Sequence, residues 1–242
     1  KAIWRNTIKT FCRCIKKKKI LAIIPARAGS ERLKNKNFLN INGKPLIQHT
    51  IDKLRKINII DKIIVSSDKK NILKIIKTDK KTFLHLRSKK LSDSKTPVFY
   101  TIFDLVKKNP DFEIVSYFLP TNPFLPINDI IEGYQKLKNF KSSISVIEYE
   151  DPIEISLRYK KENGEIKPNF KNLLKNKTNS RYIKKSFRPT GGFYISYRKD
   201  MLKNKSFFFK NKTAGVVYSK PEKYIDINNK TDFKYASYLF KV

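Results

Sequence analysis

Six consecutive apolar residues, Ile20-Leu21-Ala22-Ile23-Ile24-Pro25, carry no polar alternation, which marks a strand buried on both faces of a parallel sheet. A polar, basic stretch follows, and then Leu46, Ile47, Thr50, Ile51 and Leu54 recur at helical spacing across 45–58. Ile63-Ile64-Val65 centres a second strand over 62–67, so the first third of the chain reads as a βαβ unit. The pattern continues with a short helix over 71–76, a longer one over 97–108, a buried strand over 114–119, a helix over 127–137 and a strand over 143–147. Strands and helices that alternate in this way predict an α/β fold with a mainly parallel sheet.

From 150 to 185 the pattern lapses. This stretch is polar, rich in Lys and Asn, and contains the hairpin signal Lys161-Glu162-Asn163-Gly164, as an inserted arm would. Apolar strand patterns resume at Gly192-Phe193-Tyr194-Ile195-Ser196 and at Gly215-Val216-Val217-Tyr218, and a helix over 231–240 closes the chain. The first 19 residues, ending Lys16-Lys17-Lys18-Lys19, lack the apolar stretch of a secretory signal and read as a basic extension ahead of a single domain over 20–242. No apolar run approaches the ~20 residues of a membrane-spanning helix.

Composition adds a core, a compartment and a charge. A chain of 242 residues with 40% hydrophobic content can build one large domain. Cys12 and Cys14 are too few and too close to staple a secreted fold, so a reducing cytoplasm is expected. The formal charge of +33 attracts polyanions and concentrates anionic substrates. The basic residues are spread through a chain rich in Lys, Asn, Ile, Phe and Tyr, as AT-rich codon usage produces. No nucleic-acid-binding motif accompanies them. Specific nucleic-acid binding is therefore not expected, although a basic nucleic-acid-binding protein is the rival from another function class.

The candidate chemistry starts at the end of the first strand, where open α/β sheets bind ligands. Pro25-Ala26-Arg27-Ala28-Gly29-Ser30-Glu31-Arg32-Leu33-Lys34-Asn35-Lys36-Asn37 offers a compact Ala-Gly-Ser turn whose backbone N–H groups can approach phosphate, with Arg27, Lys36 and Arg32 for charge. It has neither the Gly-x-x-x-x-Gly-Lys-Ser/Thr spacing of a P-loop nor Gly-x-Gly-x-x-Gly. Four segments follow in order: Asn42-Gly43-Lys44-Pro45-Leu46-Ile47, Ile64-Val65-Ser66-Ser67-Asp68, Leu119-Pro120-Thr121-Asn122-Pro123 and Arg188-Pro189-Thr190-Gly191-Gly192. Ile225-Asp226-Ile227-Asn228 comes late.

This ordered series, from about residue 20 to 240, resembles the acylneuraminate cytidylyltransferase family, the CMP-sialic acid synthetases and their relatives for bacterial nonulosonic acids. The resemblance implies a Rossmann-like sheet of the nucleotide-diphospho-sugar transferase type and a homodimer joined through an arm. It also implies an Mg²⁺-dependent reaction of CTP with a 2-keto-3-deoxy sugar acid, giving the CMP-sugar and pyrophosphate. By this resemblance Arg27, Ala28, Gly29, Ser30, Lys36 and Asn37 handle the nucleotide, with Ser67, Asp68 and Arg87 beside it. Lys36, Arg27 and Asp226 are the catalytic candidates, Lys36 foremost, because an ammonium near the α- and β-phosphates offsets charge as the P–O bond breaks. Asp93 fits either a helix N-cap before Pro97 or a place in the cytosine pocket.

By the same resemblance Asp226 and Asn228 are the metal candidates: Asp226 matches the first aspartate of the family's Asp-x-Asp site, and Asn228 stands where the second would be, where its carbonyl can still ligate but one negative charge is lost. Leu119, Thr121, Asn122, Arg181, Arg188 and Gly191 fall on sugar-binding positions. Leu119 and Leu125 replace a glutamine and an arginine of the family pattern, which implies a less polar acceptor than N-acetylneuraminic acid. Ser30-Glu31-Arg32-Leu33 resembles instead the 3-deoxy-manno-octulosonate cytidylyltransferases, the nearest enzyme alternative.

Overall fold

The computed structural model describes residues 18–29, 32–93, 95–171, 175 and 183–242. Most of the 1–19 extension and part of the 150–185 stretch lie outside these residues. A seven-stranded sheet forms the centre, in the order β11-β7-β10-β6-β1-β4-β5. Its strands are β1 (Ile20–Pro25), β4 (Lys62–Ser67), β5 (Thr82–Leu86), β6 (Ile114–Tyr117), β7 (Ser142–Glu148), β10 (Phe187–Tyr197) and β11 (Thr213–Val217). The pairs β1·β4, β1·β6, β4·β5 and β7·β11 are parallel, and β10 runs antiparallel between β6 and β7. The sheet is therefore mainly parallel, as the sequence predicts.

β1 shows why that apolar run has no polar gaps. Ile20, Ala22 and Ile24 enter one core layer and Leu21 and Ile23 the other, because successive strand side chains point to opposite faces. The first layer is closed by α1 (Leu46–Arg55) through Ile47, Ile51 and Leu54, and by α5 (Ile127–Lys136) through Ile130 and Tyr134. The second is closed by α4 (Val98–Lys107) through Ile102, Leu105 and Val106, and by Met201 of α6 (Arg198–Asn204). Gly133 lets α5 sit close to β10, since a Cβ there would lie 2.6 Å from Cε2 of the buried Phe193 ring. Short helices α2 (Lys70–Leu73) and α3 (Lys89–Ser92) flank β4 and β5, and α7 (Lys230–Leu239) ends the chain.

The structure adds elements that the sequence pattern does not mark: β5, α3 and α6 are additional, and β10 begins at Phe187 instead of Gly192. Pro189 is accommodated because the β10·β7 register breaks between Pro189 and Tyr194. Two small antiparallel pairs stand apart from the main sheet: β2 (Asn40–Ile41) with β3 (Lys44–Pro45), and β8 (Leu157–Tyr159) with β9 (Ile166–Pro168). No helix among the described residues is long and apolar enough to cross a membrane.

Candidate active site

The chain leaves β1 to build β4 and β5 on one side and β6 on the other, so the strand order reverses at the carboxyl end of β1, where a crevice forms. A cleft of ≈ 560 Å³ opens there, walled by Pro25, Arg27, Arg32, Lys36 and Asn37 from β1 and its loop, and by Arg87 and Asp93 beyond β5. Leu119, Pro120 and Thr121 after β6 and the late pair Asp226 and Asn228 also line it. A smaller hollow of ≈ 290 Å³, lined by Asp68, Arg87, Lys89, Ser92 and Asp93, adjoins it through the shared Arg87 and Asp93.

The basic loop is fixed from three sides. Ala26 N–H donates to Ser66 O (2.8 Å), Ala28 N–H donates to Asp68 Oδ1 (2.7 Å), and Asn37 Nδ2 donates to Arg27 O (3.2 Å). Asn35 takes the left-handed conformation (φ 53°), which a short polar side chain tolerates, and starts a 3-10 turn over Lys36–Phe38. From that turn Lys36 Nζ donates to Ile227 O (2.8 Å) and Asn228 Oδ1 (3.1 Å). Burial lowers the Lys36 pKa from its ordinary value, and the nearby Asp226 carboxylate opposes that shift.

The other wall is equally fixed. Ile227 N–H donates to Thr121 O (2.9 Å), which ties the Asp226 loop to the segment after β6. The loop then enters α7 through a capping box between Asn229 and Asp232. Asp226 Oδ2 accepts from Asn228 Nδ2 (2.8 Å). Among the described residues no three His, Cys, Asp or Glu side chains gather into a metal cluster. The Asp226 carboxylate in the cleft suits Mg²⁺, a cation commonly held by one or two carboxylates together with substrate phosphates.

Of the nucleotide candidates, Arg27, Lys36, Asn37 and Arg87 line the cleft. Asn37 is buried, and its Oδ1 has no partner among the described residues. Arg87 is also buried and donates from Nη2 to Ser66 O (3.0 Å). Burial lowers its pKa, with Asp68 acting in the opposite direction. Asp68 braces the loop at Ala28, whereas the Ser67 side chain is wholly buried and does not reach the cleft. Gly29 is exposed, and an added Cβ would meet nothing within 4 Å. Ser30 lies outside the described residues.

Among the sugar candidates, Leu119 and Thr121 face the cleft. Gly191 stands behind Leu119: at φ 73° its carbonyl accepts from Leu119 N–H (3.3 Å), and a Cβ on it would press 3.0 Å from Leu119 Cδ1. Asn122 is buried as an acceptor for Tyr218 Oη (3.1 Å). Arg188 Nη1 donates to Tyr224 Oη (3.1 Å) with the guanidinium over that ring. Neither Asn122 nor Arg188 forms part of the cleft wall, and Arg181 lies outside the described residues. Leu125 corrects the sequence expectation for the acceptor pocket. It is 4% exposed and packs in the core against Gly192, so it cannot contact a ligand in the cleft. Asp93 lines the cleft, while the N-cap of α4 is Pro97. Arg32 and Asp93 are wall residues that motif matching left without a firm role; the basic character of the loop was the available signal for Arg32.

Comparison with known proteins agrees with this architecture. The chain is 31% identical to N-acylneuraminate cytidylyltransferase of Escherichia coli over 90% of its own length, and spans about half of that protein (51%). It is 30% identical to pseudaminic acid cytidylyltransferase of Campylobacter jejuni over 93% of its length and 97% of the relative. The solved 4-diphosphocytidyl-2C-methyl-D-erythritol synthase of Anaerococcus prevotii superposes with a TM-score of 0.68 at 19% identity, covering 95% of this chain and 99% of that one, a likeness of fold. Residues 21–231 match the family described as Cytidylyltransferase, and the chain belongs to that family.

Proposed function

We propose that this nucleotidyltransferase moves CMP from CTP to the anomeric hydroxyl of a sialic acid-like 2-keto-3-deoxy sugar acid and releases pyrophosphate, acting in the cytoplasm as an Mg²⁺-dependent homodimer. The observation that carries the reading is one cleft lined by Arg27, Arg32, Lys36 and Arg87 together with the carboxylate of Asp226. Four cations suit a triphosphate, and the carboxylate among them suits the cation that accompanies it.

Each residue then has a task. Arg27 and Arg32 hold the phosphate chain, and Arg87 with Asp93 shapes the base end of the cleft. The unpartnered Asn37 Oδ1 accepts a hydroxyl or amino proton of the nucleotide. Leu119 and Thr121 form the acceptor wall, with Arg188 near Tyr224 available to a sugar carboxylate. The anomeric oxygen bonds to the α-phosphorus as the bond from that phosphorus to the α,β-bridging oxygen breaks, the hydroxyl proton passes to water, and Lys36 offsets charge on the departing pyrophosphate. Asp226 would hold Mg²⁺, which supplies Lewis-acid stabilisation of the phosphate oxygens.

Pyrophosphate release from each of the four common NTPs with a panel of 2-keto-3-deoxy sugar acids tests this reading. Turnover is expected with CTP and nonulosonic acids; turnover confined to another nucleotide or to 3-deoxy-manno-octulosonate would refute it. The same assay reads the acceptor wall. An apolar side chain discriminates by only ~1–3 kcal/mol, whereas a hydrogen-bonding one rejects analogues more sharply. A deoxygenated, acylated nonulosonate should outrun N-acetylneuraminic acid, and Leu119→Gln should shift the ratio of kcat/KM back by about tenfold. A wild-type preference for N-acetylneuraminic acid of tenfold or more would show that Leu119 does not set specificity.

The homodimer reading draws on the β8·β9 hairpin, where Leu157, Tyr159 and Ile166 are 48%, 65% and 57% exposed. An isolated two-stranded ribbon with an apolar face needs something to pack against. Sedimentation velocity at micromolar concentration should return the mass of two chains, and a single monomeric boundary would end this part of the reading.

A further inference from the structure

The side-chain amide of Asn228 stands between the cations and the carboxylate of the cleft. Its Oδ1 accepts from Lys36 Nζ (3.1 Å) and Arg32 Nη2 (3.2 Å), and its Nδ2 donates to Asp226 Oδ2 (2.8 Å) and Asp226 O (3.2 Å). Only this orientation of the amide fits. Turned over, it would face N–H groups toward an ammonium and a guanidinium, and its oxygen toward a carboxylate. An amide oxygen has two lone pairs, and both are directed to cationic donors, so coordination of a metal ion would cost one of those bonds.

We propose that Asn228 is a positioning residue that seats Lys36 and Arg32 against Asp226, leaving Asp226 as the protein's only carboxylate toward Mg²⁺ at this loop; the proposal rests on the function given above. The amide is held in place by the backbone. Asn228 N–H donates to Asp232 Oδ2 (2.7 Å), the same oxygen that accepts from Asn229 N–H (3.0 Å) in the α7 cap. An aspartate at 228 could accept from Lys36 and Arg32 but could not donate to Asp226, and it would bring two carboxylates together. The asparagine is thus suited to bridge groups of both signs, which a carboxylate is not.

The test compares wild type, Asn228→Ala and Asn228→Asp by CTP turnover, by CTP binding and by Mn²⁺ binding to the CTP complex, read from the electron paramagnetic resonance of free Mn²⁺. For Asn228→Ala the expected result is a 10- to 100-fold loss of kcat. CTP affinity should stay within threefold and Mn²⁺ affinity within twofold of wild type, with no recovery of rate at saturating Mn²⁺. Asn228→Asp restores the acceptor for Lys36 and Arg32, so its kcat should lie within tenfold of wild type and above that of Asn228→Ala. Should Asn228→Ala melt below the assay temperature, Asn228→Ser, too short to span the two sides, takes its place with the same expectations. Mn²⁺ affinity weakened tenfold or more with the rate restored by added metal would make Asn228 a ligand and overturn the proposal, as would a kcat within twofold of wild type. Wild-type protein that neither binds nor turns over CTP would instead overturn the proposed function, and the Asn228 inference with it.

Discussion

Replacing Lys36 with alanine is expected to lower kcat with CTP by about 10²–10³-fold while changing KM for CTP far less. The ammonium is half buried and bonded to Ile227 O and Asn228 Oδ1, so it is fixed before any ligand arrives and needs no reorganisation as charge moves. In the proposed reaction Arg27 and Arg32 would share the ground-state attraction for the triphosphate, so binding should survive the loss of one cation. The pH dependence follows from the same environment. Burial lowers the Lys36 pKa of the free enzyme despite the opposing carboxylate of Asp226, so the alkaline limb of kcat/KM should fall below the range of an ordinary lysine. Steady-state kinetics from neutral to alkaline pH measures both. A variant with wild-type kcat and raised KM would reduce Lys36 to a binding residue.

What the sequence made legible was set by where each element sits. β1, β4 and β6 are central and buried, and their apolar runs announce them. β5 is an edge strand whose Phe83, Leu84 and Leu86 are 49%, 40% and 54% exposed, so it carries no one-faced pattern. α6 buries only Met201 and has too little periodicity to stand out. The start of β10 was hidden because Pro189, Gly191 and Gly192 read as breakers, and only the register shift opposite β7 makes room for them.

The site divides in the same way. Arg27, Lys36, Asn37 and Asp226 stand in loops of recognisable order, and the fold brings them to one cleft. Beyond β6, Leu119 and Thr121 face that cleft while Asn122 and Leu125 turn inward. Which side each takes depends on an irregular turn with no strand or helix period to read. The direction of the Asn228 amide depends on Arg32 and Lys36, both more than 190 positions away in the chain.

Lys53 is a further residue that only the three-dimensional arrangement distinguishes from the other lysines, and it yields the clearest expectation for stability. Its Nζ reaches from α1 to donate to the carbonyls of Pro123 and Leu125, behind the segment whose Thr121 carbonyl anchors Ile227. Burial lowers its pKa from 10.5 to about 7. Between those values the unfolded chain holds a proton that the folded chain has released, so stability rises with pH through this window, and below pH 7 the full cost of the buried charge is present. Methionine at 53 keeps the volume and cannot titrate. Its stability relative to wild type should therefore be higher at pH 6 than at pH 9 by roughly 3 kcal/mol, whatever constant cost the two unpaired carbonyls add. Relief of repulsion among the many other lysines affects both proteins alike and cancels in the difference. Urea unfolding of wild type and Lys53→Met at the two pH values gives the quantity directly. An equal difference at pH 6 and pH 9 would mean that Lys53 stays charged in the folded protein, and that the loop above it is held by an ammonium at all working pH values.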